Sequence, residues 1–535
     1  MRLYNGIELP EAWPPRYAQS SMVTPQPVPY LKAPPRHICI DIGRQLFVDD
    51  FLIEQTDMRR EYHRAEYVQD GPVFFPQTEL EMNGGFAPMA CPFNDGIVYD
   101  PEDRLFKMWY HAGFFDGTAY AQSEDGIHWT RLSELRPGSD GRVIPARPGW
   151  QRDGASVWLD HDETDRTKRF KMFVFYREYQ EKDRFYYAMK SRTQTGEHPV
   201  LYASENGMDW REMGETGPCG DNTDFFYNPF RKKYCFSIRK NTPVDPRVRA
   251  RYYYENEDFY SAHWDEEEPV FWDRCSLQDE ADPALGHPPQ LYNLDAVAYE
   301  SLMLGAYHIF LGPPNGVCRQ TRRPKIMDVK FGFSRDGFHF DRSDNLPFLT
   351  SSRVTGRWDY GYLHTHSGLL TVVGDRLYFH FSAWSGVSPV LGMDMYAGGS
   401  VGLGTMRRDG FVSMEAGETP CSLTTRALVT PHPYLFVNAD CPRGELAVEV
   451  LDEAGRVVEP FTRENCRAVH ADSCRQRITW AGAAHVGALG GKPFRLRFTM
   501  SRGALYAFWL SPTERGNSLG YMGAGGPGFS GGRDL

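Results

Sequence analysis

The sequence predicts an all-β protein, a five-bladed β-propeller followed by a C-terminal β-sandwich. Three observations predict it. A turn motif recurs along the chain, a pair of strand patterns stands before each copy, and the composition favours β structure with many turns. That composition is 14% aromatic, with 51 Gly and 38 Pro.

The turn reads SEDGIHW at Ser123 to Trp129, SENGMDW at Ser204 to Trp210 and SRDGFHF at Ser334 to Phe340, with RRDGFVSM at Arg407 to Met414 as a degenerate copy. The gap between the second and third copies is about two periods, so five units follow. Each turn comes after a strand pattern: AYAQS, LYASE, VKFGFS and VGLGTM. Asp, Asn and Gly tolerate positive φ, so these residues mark strand corners. The repeated aspartates are therefore read as corner residues and not as catalytic ones.

Two further strands precede each corner. In order they are GIVYD with LFKMWYHA, ASVWLD with FKMFVFY, TDFFYN with KYCFSIR, LDAVAYE with MLGAYHIF, and GLLTVV with RLYFHFSAW. Four antiparallel strands repeated five times make a propeller, expected over residues 75–415. Residues 1–74 are expected to be an N-terminal extension whose strands, in ICIDIGRQLFVDDFLIEQ, pack on the propeller. Over residues 416–535, YLFVNAD, GELAVEVLD, QRITWAG, FRLRFTM and ALYAFWLS predict a separate sandwich. The closing GAGGPGFSGG is too Gly-rich for a regular element and is expected to lie over a surface.

Charge and leader signals narrow the function classes. The net charge of −11 is spread along the chain, and no Lys/Arg block offers phosphates a track, which argues against a nucleic-acid partner. MRLYNGIELPEAWPP has no apolar leader core, and no segment approaches about 18 uninterrupted apolar residues. The expectation is a soluble cytoplasmic protein with no membrane partner, free to form a homo-oligomer. Ten scattered cysteines without a CxxC read as reduced thiols and not as a thiolate metal site.

In a propeller the first strand of every blade lines the axis, so residues at its entrance converge on one funnel. Those positions are Asn94-Asp95, Arg152-Asp153, Asp221 to Asp224, Tyr292 to Asp295, and His364 with His366. One aspartate at a strand entrance is usually a turn residue. Carboxylates at equivalent places of successive blades cost repulsion unless a site uses them. Glycoside hydrolysis uses such a set, one carboxylate as nucleophile or base and one protonated acid on the leaving oxygen.

On these residues the chain resembles the five-bladed propeller glycoside hydrolases, the invertase and fructan-hydrolase family together with the arabinanases. That group opens blade one with Asn-Asp, blade two with Arg-Asp and blade three with a Glu three residues before an Asp, and the invertase-like members append a β-sandwich. Asn94-Asp95, Arg152-Asp153, and Asp221 three residues before Asp224 stand in the same order. The resemblance implies Asp95 as nucleophile, Arg152 and Asp153 as holders of sugar hydroxyls, and Asp221 as the acid, kept protonated by nearby negative charge. Asp221 is a methylene shorter than the family's Glu, which leaves Glu300 as a second candidate acid, and the family's Pro after the nucleophile is missing.

Further candidates for substrate binding are Asn94, Asp224, Asp295, His364 and His366. Arg239, Lys240, Arg249 and Arg251 form a basic group that, if it faces inward, favours an anionic sugar or phosphate. Trp358 and Tyr362 offer aromatic faces for stacking. The expected function is an exo-acting glycoside hydrolase on a furanoside or related sugar. It requires no organic cofactor, and an axial Ca²⁺ or other ion is compatible with it. The alternatives are a glycoside phosphorylase and a non-catalytic carbohydrate-binding propeller.

Overall fold

The structure is a computed structural model that describes residues 1–17, 24–114, 117–179, 194–243 and 247–535. Strands dominate it, and five sheets follow one another along the chain. The first holds Ala90–Asp100, Leu105–Ala112 and Thr118–Ser123, with Thr130–Arg131 and Arg142–Ile144 outermost. The second holds Trp150–Leu159, Phe170–Tyr179, Gln194–Ser204 and Arg211–Glu215. The third holds Asp224–Asn228, Lys233–Asn241, Arg249–Asn256 and Val270–Asp273. The fourth holds Gln290–Glu300, Leu302–Gly312, Ile326–Ser334 and Leu349–Thr350. The fifth holds Gly361–His364, Thr371–Val373, Arg376–Trp384 and Gly399–Arg407.

The first strands of these sheets meet in a ring. Ala90–Asp100 touches Trp150–Leu159, which touches Asp224–Asn228, which touches Gln290–Glu300. A parallel bridge from Gly96 to Ser367 returns the fifth sheet to the first. Ser367 Oγ donates to Asp95 O at 2.6 Å and accepts from Val157 N at 3.2 Å, tying three sheets at one point.

The repeated turn is built identically in three sheets. The serine hydroxyl accepts the glycine N–H at 2.9 Å at Ser123, Ser204 and Ser334. Asp125, Asn206 and Asp336 each use Oδ1 to accept the two backbone N–H groups that follow the glycine. These aspartates are thus consumed by the corner, as an Asx turn requires. Glycine serves at the corner for a second reason, since the neighbouring sheet presses on it. Trp109 Nε1 donates to Gly207 O at 2.6 Å, and a Cβ on Gly207 would lie 2.5 Å from the same indole.

The termini depart from the expected division. Four strands of the N-terminal segment complete the C-terminal sheets. Ile38–Cys39 pairs with Leu428–Val429, Gln45–Leu46 with Gly503–Ser511, Ile53–Thr56 with Cys421–Thr425, and Arg59–Tyr62 with Val412–Ala416. A fifth, Glu66–Tyr67, is the outer strand of the fifth sheet. The two C-terminal sheets share one core, in which Phe47 and Leu52 pack with Leu435, Val448 and Phe498. The N-terminal segment is therefore part of both bodies, and Val412–Ala416 already belongs to the C-terminal one.

The first part of the Gly-rich tail, residues 523–526, is buried under the ring, while Gly528 and Ser530 are exposed, as a segment lying over a surface would be. Tyr521–Met522 pairs with Tyr299 and Glu300, Ala524 O accepts from Tyr99 N at 2.9 Å, and Gly525 O accepts from Val372 N at 2.9 Å. The fourth, first and fifth sheets are thereby joined across the axis. A Cβ on Gly526 would stand 1.8 Å from Val372 O, so only glycine fits at that position.

Candidate active site

The ring carries the entrances of its first strands into one polar cluster. Asn94 Nδ2 donates to Asp224 Oδ1 at 2.6 Å, and Asn293 Nδ2 donates both to Asp224 Oδ2 and, at 2.8 Å, to Asp295 Oδ1. Asp224 and Asp295 also hydrogen-bond each other. Burial and the neighbouring Asp224 hold the Asp295 carboxyl well above its ordinary range, and burial raises Asp224 as well, so the pair favours holding a proton between them. Thr365 Oγ1 completes Asp295 at 2.8 Å.

Asp95 is fully buried and paired with Arg152 Nη2. Burial pushes its carboxyl up to about 7 against the pull of that guanidinium. Arg152 also reaches His111 Nε2, Thr118 Oγ1 at 3.2 Å and Asp153 O at 2.8 Å. It is therefore a buried brace between the first two sheets.

Asp153 and Asp221 meet at a second arginine. Arg177 Nη2 lies 2.8 Å from Asp153 Oδ2 and also bonds Asp221 Oδ2. The two carboxyls titrate in opposite directions. Burial, only partly offset by Arg177, raises Asp153. Burial works the same way on Asp221, but Arg177, Arg239, Arg249 and Lys325 together outweigh it and hold that carboxyl below its ordinary range. This reverses the expectation of a proton kept on Asp221 by negative neighbours, because the neighbours are cations. Asp221 is also the more open of the two, its side chain 28% exposed against 7% for Asp153.

Arg239 stands in the site, with Nε 3.3 Å from Asp221 Oδ1. Arg249 faces it too, whereas Lys240 turns away to Glu266 and Arg251 is buried beneath, donating to the carbonyls of Asn222 and Tyr292. His364 and His366 are buried and neutral, each with Nδ1 on the next residue's carbonyl, and burial lowers both to about 3.

Two expected residues are elsewhere. Glu300 lies five residues beyond Asp295 on the same strand, about 16 Å along it. There it is buried against Arg44 and Arg408 and accepts from Ser518 Oγ at 2.7 Å. It ties the ring to both termini and is no rival acid. Trp358 sits at the outer edge of the fifth sheet, its Nε1 donating to Asp70 O at 2.9 Å and its ring against Tyr67 and Phe381. The N-terminal strand beside it takes the face a sugar would need.

Arg177 and Lys325 were not singled out from the sequence. Arg177 had a signal, since it interrupts the aromatic run FKMFVFYREY. Lys325, in a turn before a strand, had none.

Asp295, His308 and His364 each present a ligand atom within 4.8 Å of the others. Ca²⁺ takes oxygen ligands, so two imidazoles are the wrong donors for an axial calcium. The rings of His308 and His364 stack at 4.1 Å and 14°. A metal lies in the plane of each imidazole it binds, and two stacked rings share no such point. His308 Nε2 moreover accepts from Thr365 N at 2.9 Å. The set as arranged does not fit a metal.

No protein-family description and no curated protein sequence matches the chain. Among solved structures it is similar to an N-acetylgalactosamine deacetylase from F. plautii in complex with blood group B trisaccharide, at 13% identity over 66% of this chain and 96% of that one, with a TM-score of 0.42. It is also similar to a Bombyx mori family-32 β-fructofuranosidase, at 10% identity over 82% and 94% with a TM-score of 0.37. An α-L-arabinofuranosidase from Lactobacillus brevis matches at 12% identity over 59% and 92%, with a TM-score of 0.38.

Proposed function

We propose that the protein is a glycoside hydrolase built on a five-bladed propeller with a β-sandwich, exo-acting on a furanoside or a related sugar. The Arg177 junction carries the reading. Two carboxyls from successive sheets share one guanidinium nitrogen, one held ionised and the other biased toward its proton. Glycosidases require this inequality. An ionised carboxylate attacks the anomeric carbon or activates water, while a protonated one gives its proton to the leaving oxygen.

Asp221 takes the first role and Asp153 the second, in place of the roles the motif resemblance implies. Asp95, enclosed and locked on Arg152, positions that brace instead of reaching the sugar. The furanoside and the exo mode of action come from the motif resemblance alone.

Substrates that differ in leaving group test the assignment. Asp153→Asn is expected to cost roughly 10²–10⁴-fold in kcat on an unactivated oligosaccharide and far less on a nitrophenyl glycoside, whose leaving group needs no proton. Asp221→Asn is expected to cost about the same on both. Equal losses for Asp153→Asn remove it as the donor. A wild-type protein that turns over no aryl glycoside or oligosaccharide refutes the hydrolase reading.

A further inference from the structure

Among the described residues, positive charge exceeds negative charge on one side of the carboxylate pair. Arg177, Arg239, Arg249 and Lys325 all act on Asp221, while the carboxyls among them are Asp153 and Asp221. Arg177 and Arg239 are spent on those carboxyls. Arg249 and Lys325 have no carboxylate within 4 Å among the described residues.

What they touch instead is neutral. Lys325, 2% exposed, donates to the hydroxyls of Tyr292 at 3.0 Å and Tyr362 at 3.2 Å. Arg249 donates to Gln290 Oε1 at 2.7 Å and lies 5.4 Å from the Tyr292 ring. A buried ammonium whose hydrogen bonds go to phenols has lost its hydration without a direct ion pair, since Asp153 and Asp221 act on it only from beyond 4 Å. It carries three N–H donors, of which the phenols take two. Tyr292 registers the same excess, because Lys325 and Arg249 pull its hydroxyl below the ordinary value although burial alone would raise it.

We infer that Lys325, Arg249 and the Tyr292 hydroxyl form an oxyanion subsite beside the carboxylate pair. Its ligand is a negatively charged oxygen group, either the carboxylate of a uronic acid in the substrate or inorganic phosphate taking the place of water. The subsite rests on the glycosidase reading only for the sugar next to it.

Calorimetric titration of the full chain tests it, with glucuronate, galacturonate and inorganic phosphate as anions and with glucose and galactose as neutral counterparts. At least one anion is expected to bind about tenfold or more tightly than the neutral sugars. Arg249→Gln is expected to remove about tenfold of that affinity and Arg249→Lys to restore part of it, with Lys325→Met as the buried counterpart. Uronate binding with preferential turnover of aryl uronides assigns the first source, and phosphate binding with phosphate-dependent turnover assigns the second. Equal affinity for anions and neutral sugars overturns the inference, as does unchanged anion affinity in both Arg249→Gln and Lys325→Met. Because the readout is binding, a protein that binds an anion and cleaves nothing refutes the hydrolase reading alone, whereas cleavage of neutral glycosides without anion binding refutes the subsite alone.

Discussion

Asp95 is held at about 7 by burial. An acid whose folded pKa lies above its unfolded value of about 4 contributes stability that is fully present below the unfolded pKa and is lost as pH rises through the folded one. Asp224 and Asp295 shift in the same direction. Asp221 shifts oppositely, so its contribution is present above about pH 4 and is lost only in stronger acid. The urea midpoint is therefore expected to fall between about pH 4 and 7, and to fall less steeply in Asp95→Asn. The slope is the quantity to compare, because the amide also leaves Arg152 without its counter-charge. A wild-type slope in Asp95→Asn places the titration on other groups. The carboxylates of this cluster were legible as repeated polar positions at strand entrances. Their protonation was not, since Asp221 owes its state to cations from three other strands and from the turn that holds Lys325.

At the scale of elements, the corner motif was legible because its chemistry is local. Serine, Asx and glycine within four residues satisfy one another's backbone groups wherever the segment lies. What the motif clamps is not local. Gly207 holds φ +78 and meets Trp109 of the preceding sheet. Gly207→Ala is expected to cost roughly 2–4 kcal/mol in denaturant unfolding, from left-handed strain and overpacking together. Gly417→Ala, where nothing stands within 4 Å, is the control and is expected to stay within about 0.5 kcal/mol. Equal losses at the two positions would show that the corner bears no inter-sheet load. Glu300 and Trp358 failed at this scale for one reason. Distance along the chain from a strand entrance does not say which end of the strand, or which edge of the sheet, a side chain occupies.

For the whole molecule, the decisive feature is how the ends are used. Ile38 pairs with Leu428 and Glu66 with Thr405, and the tail crosses beneath the ring. A fragment of residues 412–535 therefore keeps Val412–Ala416 but lacks the four N-terminal strands that complete its sheets. It is expected to show no cooperative unfolding by circular dichroism, and to gain it when residues 36–67 are supplied as a peptide. Cooperative unfolding of the fragment alone would make the N-terminal strands dispensable.

The sequence by itself determined the β class, the repeat, the corners and the polar entrances, because alternation, turn chemistry and strand edges are written within about ten residues of chain. Only the tertiary structure decided that both ends of the chain build one pair of sheets, that residues 523–526 of the glycine tail are buried, and that Asp153 and Asp221 share Arg177. Pairing between distant segments is settled by which arrangement closes the ring without leaving strand edges and buried charges unpaired. A carboxyl's proton affinity is then set by whatever charges that closure brings beside it.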